Sequence, residues 1–175
     1  IDILIANSGA AFKGSMINVK KEVLVKSLDV NFYSHHNIVQ KIANIMVSQG
    51  FGGSISLNLS KQSINPGRDF GPYGIAKASS LFSMKQYALE FGKHNIRVNG
   101  INADRIKSGL LTDQFIKERA KARNMTATDY LKNNLLQKEV TAEDVAEVFF
   151  AQLSFEKTTG NIITVDGGNI EASLR

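Results

Sequence analysis

The sequence predicts an α/β protein of three layers (α/β/α), a doubly wound parallel sheet covered by helices on both faces. Three observations carry this expectation. Short apolar runs lie at residues 1–6, 54–59, 96–101 and 161–165, and continuous runs of that length suit strands buried on both sides of a parallel sheet. The segments between them carry apolar residues three and four apart and are long enough to be crossover helices. Turn residues follow the strands, with Asn7-Ser8-Gly9 after the first and Asp166-Gly167-Gly168 after the last. The order strand, helix, strand, helix, strand, helices, strand argues for a parallel sheet joined by right-handed crossovers.

Each element has its own warrant. Val23, Leu24, Leu28, Val30, Phe32, Ile38, Ile42 and Ile45 define one helix over about 19–47, and Gly50 is its expected left-handed cap. A polar loop containing Asn65-Pro66-Gly67 separates the second strand from a helix over 73–93. That helix is more apolar than a single buried face requires. Residues 110–136 read as one or two polar surface helices with a break near Asn124. Thr141 followed by Glu143 and Asp144 marks the N-terminus of a further helix to about 153.

Composition narrows the function classes. With 175 residues and 43% hydrophobic content, the chain has enough core for one domain over 1–175 and no basis for two. It opens inside a strand rather than at Met, which suggests part of a larger protein. The net charge of +5 invites a nucleic-acid reading, but Lys and Arg are dispersed apart from 117–123, with no basic–aromatic stripe. Nucleic acid is therefore not an expected partner. The 117–123 stretch is either a solvated helix face or a rim that attracts an anionic cofactor or substrate. There is no cysteine, hence no disulfide or thiolate metal site, which fits a reducing, cytoplasmic compartment. No run of about 18 apolar residues calls for a membrane span, and no leader segment is evident. His35 and His36 point to different sides of a helix, so they are expected at solvated or subunit-interface positions, and no metal site is expected.

The chemistry concentrates at Tyr73 and Lys77. Four residues apart at a helix start, they share a face. A free phenol titrates near ~10, too high for proton transfer at neutral pH, and an adjacent ammonium is expected to lower it. Ser60, thirteen residues earlier and just past a strand, can hold a substrate oxygen beside the phenol. Ser63 is a rival for that role.

In these features the chain resembles the short-chain dehydrogenase/reductase family. The segment Tyr73-Gly74-Ile75-Ala76-Lys77 matches the family's Y-x-x-x-K pair, with the strand-end Ser60 at the family's separation. Ala6-Asn7-Ser8-Gly9 resembles its N-N-A-G motif, keeping Asn7 and Gly9. Arg97-Val98-Asn99 resembles its R-V-N strand and Val165-Asp166-Gly167-Gly168 its terminal V-D-G-G. The resemblance implies a Rossmann-like domain of which this chain is the C-terminal part, apparently lacking the first βαβαβ portion. It implies an oxidoreductase that moves a hydride between NAD or NADP and an alcohol or carbonyl substrate. Asn31, Ser60, Tyr73 and Lys77 would be its catalytic set, with Asn31 ordering a water in a proton relay. Asn7, Ser8, Gly9, Tyr73, Lys77, Ile106 and Ser108 would bind the cofactor. It also implies a homodimer or homotetramer through the helices at 17–48 and 73–92.

Where the family has Pro-Gly after the R-V-N strand, this chain has Ala103-Asp104, which puts the roles of Ile106 and Ser108 in doubt. Asp104 reads either as a plain turn residue or as an acceptor near the cofactor or a substrate hydroxyl. The Asn102-to-Asp104 arrangement, the polar insert and the ending Gly168–Arg175 are similar to dehydrogenase domains fused to rhamnulose-phosphate-type aldolases. That likeness implies a lactaldehyde or small sugar-derived substrate. Gly50-Phe51-Gly52-Gly53 precedes a strand and reads as a turn, not a phosphate loop. The reading from another class is a catalytically inactive fragment that serves only as an assembly or binding module.

Overall fold

The computed structural model describes residues 1–169. Four strands form one parallel sheet in the order β1 (Ile3–Ala6), β2 (Gly53–Asn58), β3 (Ile96–Ala103), β4 (Ile162–Val165). The register sets Leu4 beside Ile55, Ile55 beside Val98 and Ile101 beside Ile163. The helices are α1 (Lys21–Leu28), α2 (Ser34–Gln49), α3 (Gly71–Phe91), α4 (Asp113–Lys121), α5 (Ala127–Lys132) and α6 (Ala142–Leu153).

Side-chain alternation along the strands assigns the layers. Ile55, Leu57 and Val98 pack with Val39, Ala43, Met46 and Met84 under α2 and α3. Ser56 points the other way, where its hydroxyl donates to Gln152 of α6 at 2.6 Å, and Ile101 packs with Val145 and Phe149 of the same helix. Helices thus cover both faces, as expected, but one crossover departs from expectation. All three connections step the same way along the sheet, yet α6 lies on the face opposite α2 and α3. The hand of the β3-to-β4 connection is therefore the reverse of the first two. The long excursion through α4 and α5 lets the chain approach β4 from the far face.

Two other elements differ from the sequence reading. The helix expected over 19–47 is divided by a π turn, Asp29–Tyr33, that joins α1 to α2. Such widened turns cluster at functional sites, and this one carries the fully buried Asn31. The apolar run 1–6 is not buried on both faces: β1 is an edge strand, and Ile1, Ile3 and Ile5 are exposed because no layer covers them among the described residues. Gly50 is the left-handed cap of α2 at φ 79°, and Thr141 with Asp144 forms a complete capping box on α6. The expected break near Asn124 falls between α4 and α5, where Asn124 has φ 55°. Residues 170–175, most of the ending that suggested an aldolase-fused subgroup, lie outside the described residues.

Candidate active site

The carboxyl ends of the strands open onto two adjoining cavities, where ligands sit in sheets of this kind. One, of about 670 Å³, is bordered by Asn7, Ser8, Gly9, Lys77, Ile106 and Ser108. The other, of about 160 Å³, is bordered by Ser60, Gln62, Asp104, Arg105 and Arg119. Tyr73 stands in the wall of both.

Tyr73 and Lys77 come from the first turns of α3, which Pro72 starts with its backbone already set for a helix. Both side chains are buried. The Lys77 ammonium donates to the Asn58 carbonyl at 2.8 Å and lies 5.8 Å from the centre of the Tyr73 ring. Burial holds its pKa down, to about 8. Tyr73 departs from the lowered pKa expected of it. Loss of water around the phenol pushes it above the ordinary value, and the nearby Ser60 hydroxyl pulls the other way.

Ser60 has two tasks. It accepts from the Gln62 N–H at 3.2 Å, capping the short 3₁₀ turn Lys61–Ser63, and it lines the smaller cavity together with Tyr73. Its rival Ser63 donates to the Ser60 carbonyl at 2.6 Å and is spent on the turn.

Asn7, Ser8 and Gly9 border the larger cavity, backed by α1 and α2. The Asn31 amide clamps Ala10 from both sides: its oxygen accepts from the Ala10 N–H and its nitrogen donates to the Ala10 carbonyl, each at 3.0 Å. Asn31 borders neither cavity. It sits behind the loop, and its backbone carbonyl accepts from the Ser80 hydroxyl at 2.9 Å. A Cβ on Gly9 would meet the Asn31 oxygen at 3.1 Å, so a side chain there would push the Asn31 amide back by a few tenths of an ångström. Ile106 and Ser108 also border the larger cavity, but the Ser108 oxygen accepts from the N–H groups of Leu110 and Leu111 and is held in a local turn.

Two residues were not singled out by motif. Asn58 ends β2, offers its carbonyl to Lys77 and donates from its amide to Asn7 at 2.6 Å, tying two loops together. Its position at a strand end beside Ser60 was the available signal. His35, expected at a solvated or interface position, is instead buried, with a ring nitrogen 2.8 Å from the Ser8 carbonyl. Burial, then the Lys77 ammonium, hold its pKa at about 4, against the Ser8 bond. The π turn rotates this part of α2 inward, which adjacent-residue spacing cannot show. Of the 117–123 stretch, Lys117 and Lys121 are solvated while Arg119 turns to the smaller cavity and lies 5.1 Å over the Phe70 ring. Arg97 and Asn99 of the R-V-N segment are structural. Arg97 donates to the carbonyls of Leu153 and Phe155, and Asn99 bridges Thr158 and Asn161.

Similarity to known proteins agrees with this architecture. The family profile described as enoyl-(acyl carrier protein) reductase matches residues 1–169. An uncharacterized oxidoreductase of Bacillus subtilis, YuxG, is 30% identical over 96% of this chain and 26% of its own length. Dehydrogenase/reductase SDR family member 4 of Bos taurus is 30% identical over 97% of this chain and 60% of its own. A solved 7α-hydroxysteroid dehydrogenase complexed with NADH and 7-oxo glycochenodeoxycholic acid superposes with a TM-score of 0.81. It is 24% identical, over 96% of this chain and 63% of that one. The chain thus spans well under two thirds of the curated relatives named here. A profile that runs from the first residue to 169, over a parallel sheet with helices on both faces, shows that the chain belongs to the short-chain dehydrogenase/reductase family.

Proposed function

We propose that the protein carrying this chain is an NAD- or NADP-dependent oxidoreductase that interconverts a short alcohol and its carbonyl compound, with Tyr73 as acid/base. The supporting observation is the position of Tyr73 in the wall shared by the two cavities. A proton donor there faces cofactor and substrate at once.

The residues of the larger cavity fit a nicotinamide nucleotide. Lys77 is a buried cation with three N–H groups and one acceptor, the Asn58 carbonyl, among the described residues. Two donors remain for the hydroxyls of a ribose. Asn7, Ser8 and Gly9 offer backbone and side-chain polar groups along the same wall. The structural relative complexed with NADH supports the same choice. When bound, the nicotinamide supplies or accepts the hydride. Ser60 and Tyr73 hold the reacting oxygen. In reduction Tyr73 would give its proton to that oxygen, and in oxidation it would take the proton back. The Lys77 ammonium and the Ser60 hydroxyl favour the phenolate that remains. Asn31 positions the loop behind the cofactor by holding Ala10.

The smaller cavity, about 160 Å³ with Ser60, Gln62 and Asp104 around it, suits a small sugar-derived aldehyde or alcohol. That is well below the roughly 300 Å³ at which drug-sized pockets begin. Outward-facing Ile38 and Ile45 on α2 and Phe82 and Leu89 on α3 are exposed, which supports assembly as a homodimer or homotetramer through these helices.

The test is turnover of short aldehydes by the full-length protein with NADH and NADPH. Tyr73→Phe should lower kcat by on the order of 10²- to 10⁴-fold while leaving cofactor affinity within about twofold. Near-normal turnover by that variant overturns the assignment. An intact protein that binds no dinucleotide would support the assembly-module reading instead.

A further inference from the structure

Asp104 closes the smaller cavity opposite the reacting groups, at the place where the family pattern has a glycine and offers no side chain. Its side chain is only 12% exposed. One carboxylate oxygen, Oδ2, takes every partner the structure gives it: Lys61 Nζ at 2.9 Å, Arg105 Nε at 3.5 Å and the Asn169 amide. The other oxygen, Oδ1, has no partner among the described residues. A carboxylate accepts through both oxygens, and Oδ1, at the cavity wall, is free to accept from a ligand in place of water.

The surroundings select the missing donor. Lys61, Arg105 and Arg119 lie around the same space, so a cationic ligand group is disfavoured. An anionic group would meet the carboxylate itself. A neutral hydroxyl satisfies Oδ1 with no charge conflict. Because Asp104, Ser60 and Tyr73 share a cavity of about 160 Å³, that hydroxyl belongs on a carbon close to the reacting one. We propose that Asp104 is a specificity residue that accepts a hydrogen bond from such a hydroxyl, so that the substrate is a short hydroxylated carbonyl compound or the matching diol. Plain aldehydes and alcohols leave Oδ1 unmet. Lys61 and Asn169 position the carboxylate and do not touch the substrate. The inference rests on the oxidoreductase reading above and adds to it the residue that chooses among small substrates.

The test compares glyceraldehyde with propanal, equal in carbon number and different in hydroxyls, on the full-length protein with NADH and NADPH. The wild type should favour glyceraldehyde in kcat/KM by on the order of ten- to a hundredfold, the range for a hydrogen bond to a charged group. Asp104→Asn is a selective change. The amide oxygen takes the place occupied by three donors, and the amide nitrogen replaces Oδ1, turning the free acceptor into a donor. In Asp104→Asn, and in Asp104→Gly with the family's residue, the preference should fall to within about threefold of unity because glyceraldehyde kcat/KM falls more than propanal kcat/KM.

A preference that survives in both folded variants overturns the proposal, as does a wild type that treats the two aldehydes alike. Equal loss of both activities in a variant with unchanged circular dichroism also overturns it, because that pattern belongs to a structural tie. No turnover of either aldehyde by the wild type with either cofactor overturns the oxidoreductase reading itself.

Discussion

The floor and the roof of the site are built differently. The floor is β2, α3 and the π turn: Tyr73 and Lys77 project from α3, Ser60 caps the turn just past β2, and the layer behind them, with Val39, Met46 and Met84, is fully buried. The roof is the excursion from Ala103 to Asn133. Its helices α4 and α5 have nine and six residues, and α5 is too short to persist in isolation. Polar ties hold it. Arg105, in a left-handed conformation at φ 56°, donates to the carbonyls of Tyr130 and Asn133 at 3.0 Å, and its guanidinium lies 4.7 Å over the Tyr130 ring. The floor, packed on a fully buried layer, is therefore expected to open only with the whole domain, and the roof to open by itself. On the proposed function, reaction type is fixed in the first region and substrate choice in the second.

The largest effect expected of this difference lies in the floor, at Lys77. Its folded pKa of about 8 is below the unfolded value of 10.5. Below pH 8 the lysine is charged in both states, so the folded chain bears the full cost of a buried cation. Between pH 8 and 10 the folded state has released its proton and the unfolded state has not, so stability rises with pH. Tyr73 begins to oppose this only above its unfolded value of 10.0, since its folded pKa is raised. Over pH 8 to 10 the cofactor-free protein should gain roughly 2–3 kcal/mol relative to Lys77→Met, read from urea midpoints. Parallel pH curves for the two proteins would mean that Lys77 is solvated and that the floor is not the closed core described here.

A smaller effect should appear in the roof. Arg105→Ala removes charge-assisted bonds to the Tyr130 carbonyl in α5 and the Asn133 carbonyl at its end. Protection of the α5 amides against hydrogen exchange should drop by about 1–3 kcal/mol of opening free energy, with α3 amides unchanged. An equal drop in α3 would show that roof and floor open as one unit.

The same division explains what the sequence reveals. The floor is legible because its determinants are local. The four-residue Tyr73–Lys77 spacing, the strand-end Ser60 and the Gly50 cap depend only on element periodicity. The alternation of strands and helices and the coverage of both faces are legible for the same reason. The roof is not legible in that way. Nothing in Ala103-Asp104-Arg105 announces a left-handed arginine reaching 25 residues ahead to Tyr130, or an Asn169 closing on Asp104. The burial of His35 was hidden because a π turn shifts the helical register by a fraction of a turn after Asn31. The exposed edge of β1 was expected of a chain that opens inside a strand, but its uncovered face was hidden because an apolar run looks the same with or without a layer over it. The raised Tyr73 pKa was missed because proximity to an ammonium shows in sequence spacing, while loss of water shows only in the fold.

The smallest expected effect gives the sharpest version of the comparison, because it makes one chemical change in two settings. Thr126 caps α5 and Thr141 caps α6, each accepting from the N–H three residues on, at 3.1 and 3.2 Å. Replacing either with Ala costs about 1 kcal/mol of helix stability. In α6 the helix is tied to the sheet through Gln152 and Ser56, so the cost of Thr141→Ala should move the global urea midpoint. In α5 the cost of Thr126→Ala should appear as faster exchange of the α5 amides, with the midpoint shifted by less than about half as much, because the roof opens before the domain unfolds. Equal midpoint shifts for the two variants would place α5 in the same cooperative unit as the sheet. Substrate selection at Asp104 would then be as rigidly held as the proton transfer at Tyr73.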